Sequence, residues 1–126
     1  MIIDPSKTLG KVICDKEFHY TNELCMLYAL GIGFSRDPLN EEDLKFTYEL
    51  DDDFTTFSTI SVLSALTFTP RLRNLPGFPE FNYMMLLHGE QITEVMKPIE
   101  PDSYVRCVST VVDIADKVKG ALLTVK

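Results

Sequence analysis

The sequence predicts an α+β domain, and three observations carry that prediction. An apolar segment near the N-terminus is bounded by helix-capping residues, and the last third of the chain reads as short strands broken by turn residues. Of the 126 residues, 45% are hydrophobic and 25% charged, the balance of a chain that buries a core. One domain, residues 1–126, is expected at this length.

The elements follow in chain order. Residues 1–19 are mixed and are expected to wrap the surface. At Thr21-Asn22-Glu23 a hydroxyl or amide can cap orphan amides, and Glu23 suits the positive end of a helix. Leu24-Cys25-Met26-Leu27-Tyr28-Ala29-Leu30 is apolar on nearly every face, so a largely buried helix is expected over residues 21–31. Gly31 and Gly33 end it. Residues 35–42 read as a turn, since Pro38 restricts Asp37. Residues 44–50 alternate apolar and polar, the mark of a half-buried strand. Asp51-Asp52-Asp53 is a solvated turn, because a calcium loop needs a glycine and further oxygen ligands at fixed offsets.

Residues 54–69 are rich in Thr, Ser, Phe and Ile, which suits a strand more than a helix. Phe57, Ile60, Leu63 and Ala65 also fit a helical stripe, so both readings stand. Pro70, Pro76, Gly77 and Pro79 make residues 69–80 a long irregular loop, of a length that often covers a binding groove. Residues 81–87 are compact and apolar enough for a short helix, closed by His88-Gly89. Three strands are expected at 91–97, 103–114 and 120–125, with breaks at 98–102 and 116–119. The last strand runs into the chain terminus, which reads as a sheet cut short in or after that strand.

Charge narrows the function classes. Twelve Lys and Arg against 19 Asp and Glu leave a net charge of −7. That acidic balance argues against a nucleic-acid surface. No apolar run reaches the roughly 20 residues of a membrane span, and Met1-Ile2-Ile3-Asp4-Pro5 has no signal-peptide order. Cys14, Cys25 and Cys107 are odd in number and far apart, so thiols in a reducing compartment are expected rather than a disulfide framework. With only His19 and His88 beside them, no metal site is expected.

Four runs then occur in order: Leu27-Tyr28-Ala29-Leu30-Gly31-Ile32-Gly33, Asp43-Leu44-Lys45-Phe46-Thr47-Tyr48-Glu49, Leu86-Leu87-His88-Gly89-Glu90-Gln91, and Asp116-Lys117 before Gly120-Ala121. From about residue 9 to the end, the series resembles the N-terminal half of eukaryotic 2-enoyl-CoA hydratase 2. This is the MaoC-like unit of the peroxisomal multifunctional enzyme type 2. The resemblance implies a hot-dog fold, an antiparallel sheet wrapped around a helix, here the first of two in tandem. It implies a (3R)-specific enoyl-CoA hydratase of fatty acid β-oxidation, located in the peroxisome, with a second hot-dog half as partner and a homodimer of the full unit. No cofactor is implied, because the CoA thioester is the substrate.

Hydration needs a carboxylate and an imidazole on one water. The family draws them from an Asp-x-Asn-Pro-Leu-His run in the second half. Here Asp37-Pro38-Leu39-Asn40 has those letters in another order and no histidine, so no catalytic residue is expected in this chain. What carries over is binding: His88 and Gly89 match the acyl-CoA contact, and Lys117 matches a lysine near the CoA moiety, with Lys119 close by. Thr56-Phe57-Ser58-Thr59 departs from the family's Leu-Pro-Thr-Phe-like run. The expected function is thus a substrate-binding, non-catalytic half that accommodates the acyl chain and part of CoA. The alternative is a free-standing hot-dog module for assembly or acyl-group binding without hydration. A hot-dog thioesterase is a third class, but Glu80 and Glu90 offer no clear catalytic partner.

Overall fold

The computed structural model describes residues 3–126, so Met1 and Ile2 of the stretch expected to wrap the surface lie outside it. In chain order the elements are α1 (Pro5–Thr8), β1 (Val12–Tyr20), α2 (Asn22–Ile32), α3 (Leu44–Thr47), α4 (Val62–Ala65), β2 (Ser103–Asp116) and β3 (Ala121–Val125). Stretches of 3-10 helix occupy Glu41–Asp43, Ser58–Ser61, Leu66–Asn74 and Tyr83–Met85. The described strands form one sheet in the order β1-β2-β3. The chain divides into two compact units, one of Met1–Lys16, Ala65–Gln91 and Arg106–Lys126, the other of Glu17–Ser64 and Ile92–Val105.

In the first unit, Leu72, Leu75 and Val111 are buried, and Ile13, Phe68, Phe78, Phe81, Ile114 and Leu123 pack against them. β2 and β3 pair antiparallel, with Ile114 opposite Leu123 and Asp116 opposite Ala121. Val111 N donates to Lys11 O at 3.0 Å. Arg106 reaches Asp15, so rising numbers in β1 meet falling numbers in β2, as antiparallel pairing requires. Pro5 opens α1 behind the Asp4 cap, whose side chain accepts from Ser6 N. The buried Thr8 hydroxyl donates to Pro76 O at 2.7 Å.

In the second unit, Tyr20, Cys25 and Ile60 are buried together. Phe18 and Val105 from the strands and Leu24 and Tyr28 from α2 close around them. Helix α2 therefore lies on sheet residues, the layer arrangement of an α+β domain. Its ends fall within a residue of those the sequence predicts, with Gly31 inside the helix and Gly33 alone as the cap. Thr21 caps it by accepting from Leu24 N, and Gly33 closes it at φ 110°. Phe34, Phe46 and Phe57 form a ring cluster at centroid distances of 4.6, 5.0 and 5.6 Å, which joins the end of α2 to α3.

Several expectations are corrected. Helix α2 is not buried all round: Cys25 and Ala29, four residues apart, face the core. Leu27 and Leu30 are 67% and 51% exposed, because at 100° per residue they point away from that line. Residues 44–50 hold helix α3, not a strand. Asn40 caps the preceding 3-10 turn by accepting from Glu42 N at 3.1 Å, and three acidic residues follow. Of residues 54–69, 54–57 are irregular and 58–69 are 3-10 and α-helix, and the helical run continues through Asn74 into the stretch expected to be irregular. Of 81–87 only Tyr83–Met85 is helical. Residues 91–97 form no strand, and every one of them is exposed. β1 arises mostly in the stretch, residues 1–19, expected to wrap the surface. The turn expected at 35–42 covers 35–40, with Glu41 and Glu42 in the 3-10 helix, while the turn at 51–53 and strands β2 and β3 stand where expected.

Candidate functional site

Lys117 sits in the turn from β2 to β3. Asp116 Oδ1 accepts from Val118 N at 2.8 Å. Lys117 N donates to Gly120 O at 2.9 Å, and Lys119 N to Lys117 O at 2.7 Å. This backbone bonding, with Val118 at φ 68°, fixes the turn while Lys117 and Lys119 stand exposed. A β-branched residue in the left-handed region is strained, so the turn is held by its bonds rather than by local preference.

His88 and Gly89 follow the short Tyr83–Met85 helix on an exposed stretch. His88 Nε2 lies 3.0 Å from Glu90 O. A carbonyl can only accept, so Nε2 carries the proton and, in the neutral ring, Nδ1 is left as an acceptor. A Cβ built at Gly89 meets nothing within 4 Å, so neighbouring atoms do not demand glycine there. No hydrogen bond or ion pair among the described contacts joins Lys117 to His88 or Gly89. A cavity of about 270 Å³ in the same unit is lined by Lys11, Arg71, Asn74 and Leu75 among others, and none of the three expected residues lines it.

Asp37 and Asn40 are used structurally. Asp37 Oδ1 accepts from Leu39 N at 3.0 Å, and Asn40 caps the next turn. These bonds are those of turn residues. The structure does bring together an imidazole and a carboxylate that sequence reading missed. His19 Nε2 lies 2.8 Å from Asp102 Oδ1, and the His19 ring stacks on Tyr104 at 4.1 Å and 10°. The partners are 83 positions apart, so only the register of β1 against β2 could have signalled them. Among the described residues no group of three or more His, Cys, Asp or Glu is placed to hold a metal ion. No helix among them is long and apolar enough to cross a membrane.

Comparison with known proteins gives this geometry its context. The family model described as the MFE-2 hydratase 2 N-terminal domain matches residues 18–126. The peroxisomal multifunctional enzyme type 2 of Mus musculus is 37% identical over 106 residues, covering 82% of this chain and 14% of the mouse protein. The peroxisomal hydratase-dehydrogenase-epimerase of Saccharomyces cerevisiae is 34% identical over 117 residues, covering 92% of this chain and 12% of the yeast protein. A crystal structure of a MaoC-like dehydratase from Phytophthora capsici superposes with a TM-score of 0.69 at 28% identity, over 96% of this chain and 42% of that one. The chain thus spans less than half the length of each of these relatives. The helix on an antiparallel sheet is the α+β hot-dog fold of that MaoC-like neighbour. By the match over residues 18–126, the chain belongs to the family of MFE-2 hydratase 2 N-terminal domains.

Proposed function

We propose that this chain is the substrate-binding, non-catalytic half of a (3R)-specific 2-enoyl-CoA hydratase of fatty acid β-oxidation. It accommodates the acyl chain and part of CoA. The observation that carries the reading is the family match to an N-terminal domain over residues 18–126, in a sequence with no Asp-x-Asn-Pro-x-His run. In this reading His88 and the open backbone at Gly89 meet the acyl-CoA, and the exposed Lys117 ammonium meets a CoA phosphate as a point charge. A second hot-dog half supplies the carboxylate and imidazole that add water across the double bond, with the hydroxyl going to C3 and the proton to C2. No cofactor enters, since the thioester itself activates the alkene.

Apolar side chains left in solvent support a partner domain: Leu27 and Leu30 on α2, and Leu87 at 85% exposure beside His88. The mouse and yeast relatives bear peroxisomal names, which supports that compartment here, and a homodimer of the full unit is the assembly proposed.

The test is an assay with trans-2-decenoyl-CoA. The chain alone is expected to bind a saturated acyl-CoA without hydrating the enoyl form. Joining it to a half that carries the Asp-x-Asn-Pro-x-His run is expected to give turnover. Turnover by the chain alone that is lost in His19→Ala would overturn the reading, because the His19–Asp102 pair would then be the catalyst.

A further inference from the structure

Cys14 and Cys107 converge on one hydroxyl. Thr67 Oγ1, from the Leu66–Asn74 helix, lies 3.7 Å from Cys14 Sγ and 3.9 Å from Cys107 Sγ. The register accounts for this meeting. Asp15 and Arg106 pair on the solvent side of neighbouring strands. Successive strand residues point to opposite faces, so Cys14 before Asp15 and Cys107 after Arg106 share the inner face at the same offset. Paired strands lie about 4.7–4.9 Å apart, and a disulfide spans Cα separations of about 4.4–6.8 Å. Cys107 is half-buried, whereas Cys14 is buried.

We propose that Cys14 and Cys107 are a dithiol modification site, which hydrogen peroxide converts to an intramolecular disulfide between β1 and β2. The half-buried Cys107, as its thiolate, attacks one peroxide oxygen. The O–O bond breaks and water leaves after protonation, giving a sulfenic acid on Cys107. Cys14 Sγ, losing its proton, then attacks that sulfur; the S–O bond breaks and hydroxide takes up the proton as a second water. Two thiols are oxidised by two electrons and one peroxide is reduced to two waters. Cys25 is excluded from the reaction by its place. Its Sγ is buried 3.9 Å from Tyr20 O, and burial raises its pKa above the usual thiol value.

The experiment treats the full chain with hydrogen peroxide, alkylates it under denaturing conditions and maps the peptides by mass. The expected product joins the Cys14 and Cys107 peptides, lacks two hydrogens, forms at a rate independent of protein concentration and reverts with dithiothreitol. Cys25 is expected to alkylate fully. Cys107→Ser is expected to abolish the product and Cys25→Ser to leave it unchanged. Because the mapping is done on the unsubstituted chain, it stands even where a variant folds poorly. Sulfinic or sulfonic acid at Cys107 with Cys14 still a thiol, a bond to Cys25, or a link between two chains would each overturn the proposal.

Discussion

Arg106 holds Asp15 with two parallel hydrogen bonds, Nε to Oδ1 at 2.8 Å and Nη2 to Oδ2 at 2.7 Å, tying β2 to β1 from the solvent side. The fork of donors matches the carboxylate, which gives the pair its geometry as well as its charge. Hydrogen bonding from Arg106, and then its positive charge, hold the Asp15 carboxyl below the usual aspartate value.

The pH dependence follows from that direction. A depressed folded-state pKa gives stability that is present above the unfolded value and lost as pH falls through the folded one. Arg106→Gln is therefore expected to melt at a slightly lower temperature than the parent at neutral pH. The gap should close as pH drops below the ordinary aspartate range. Both side chains are largely exposed, so the gap should also shrink in salt. Thermal melts of both proteins across pH check this, and a gap that widens in acid would contradict it.

Core and surface leucine-type positions separate cleanly. Ile60 is fully buried between Tyr20 and Cys25, so Ile60→Ala should cost about 2–5 kcal/mol as the cavity fails to collapse. Leu27→Ala on the exposed side of α2 should stay within about 0.5 kcal/mol in this chain. Denaturant midpoints of the two variants decide it, and a larger loss for Leu27→Ala would mean that its side chain is covered in solution.

That contrast marks what the sequence could reveal. Helix α2 was legible because Thr21 and Gly33 are local signals that act through the backbone a few residues away. Which side of it is buried was not, since Leu24 to Leu30 has no polar face to break the symmetry. Period-two alternation misled at 44–50, where the Asn40 cap and the ring cluster of Phe34, Phe46 and Phe57 outweigh strand preference. β1 was hidden because Asp15-Lys16-Glu17 interrupts its alternation. Asp15 finds Arg106 only once the strands are in register. The proposed site residues rest on resemblance alone: His88, Gly89 and Lys117 stand exposed with bonds that any loop or turn would make.

Gly77 is a second local constraint with a sharp outcome. Its φ is 78°, and an added Cβ would lie 2.6 Å from Asp4 O and 2.7 Å from Thr8 Oγ1. The left-handed backbone alone costs a residue with a Cβ about 1–2 kcal/mol. The clash adds to that, because the Asp4 carbonyl also accepts from Lys7 N within α1 and cannot simply yield. Gly77→Ala should therefore destabilise by more than about 2 kcal/mol, whereas Gly89→Ala, with nothing within 4 Å, should leave stability nearly unchanged. Equal losses at the two glycines would refute the packing around α1.

Lys117 carries the most exposed prediction about function. Its turn is fixed by backbone bonds and by the Asp116 side chain, so truncating the Lys117 side chain removes the ammonium without removing the turn. If that ammonium meets a CoA phosphate, Lys117→Ala should weaken CoA-ester binding by about 1–2 kcal/mol, the size of a hydrogen bond to a charged group. The loss should fall as salt rises, because exposed charge pairs are screened within about a Debye length. Binding of an acyl pantetheine should hardly change, since that ligand has no phosphate. The comparison belongs in a polypeptide that includes the second half, where the acyl-CoA is enclosed, and thermal melts should show the variant as stable as the parent. Equal losses for both ligands would assign Lys117 to the shape of the β2–β3 turn instead of the phosphate. No loss for either would leave it a solvated turn lysine and move the phosphate contact elsewhere.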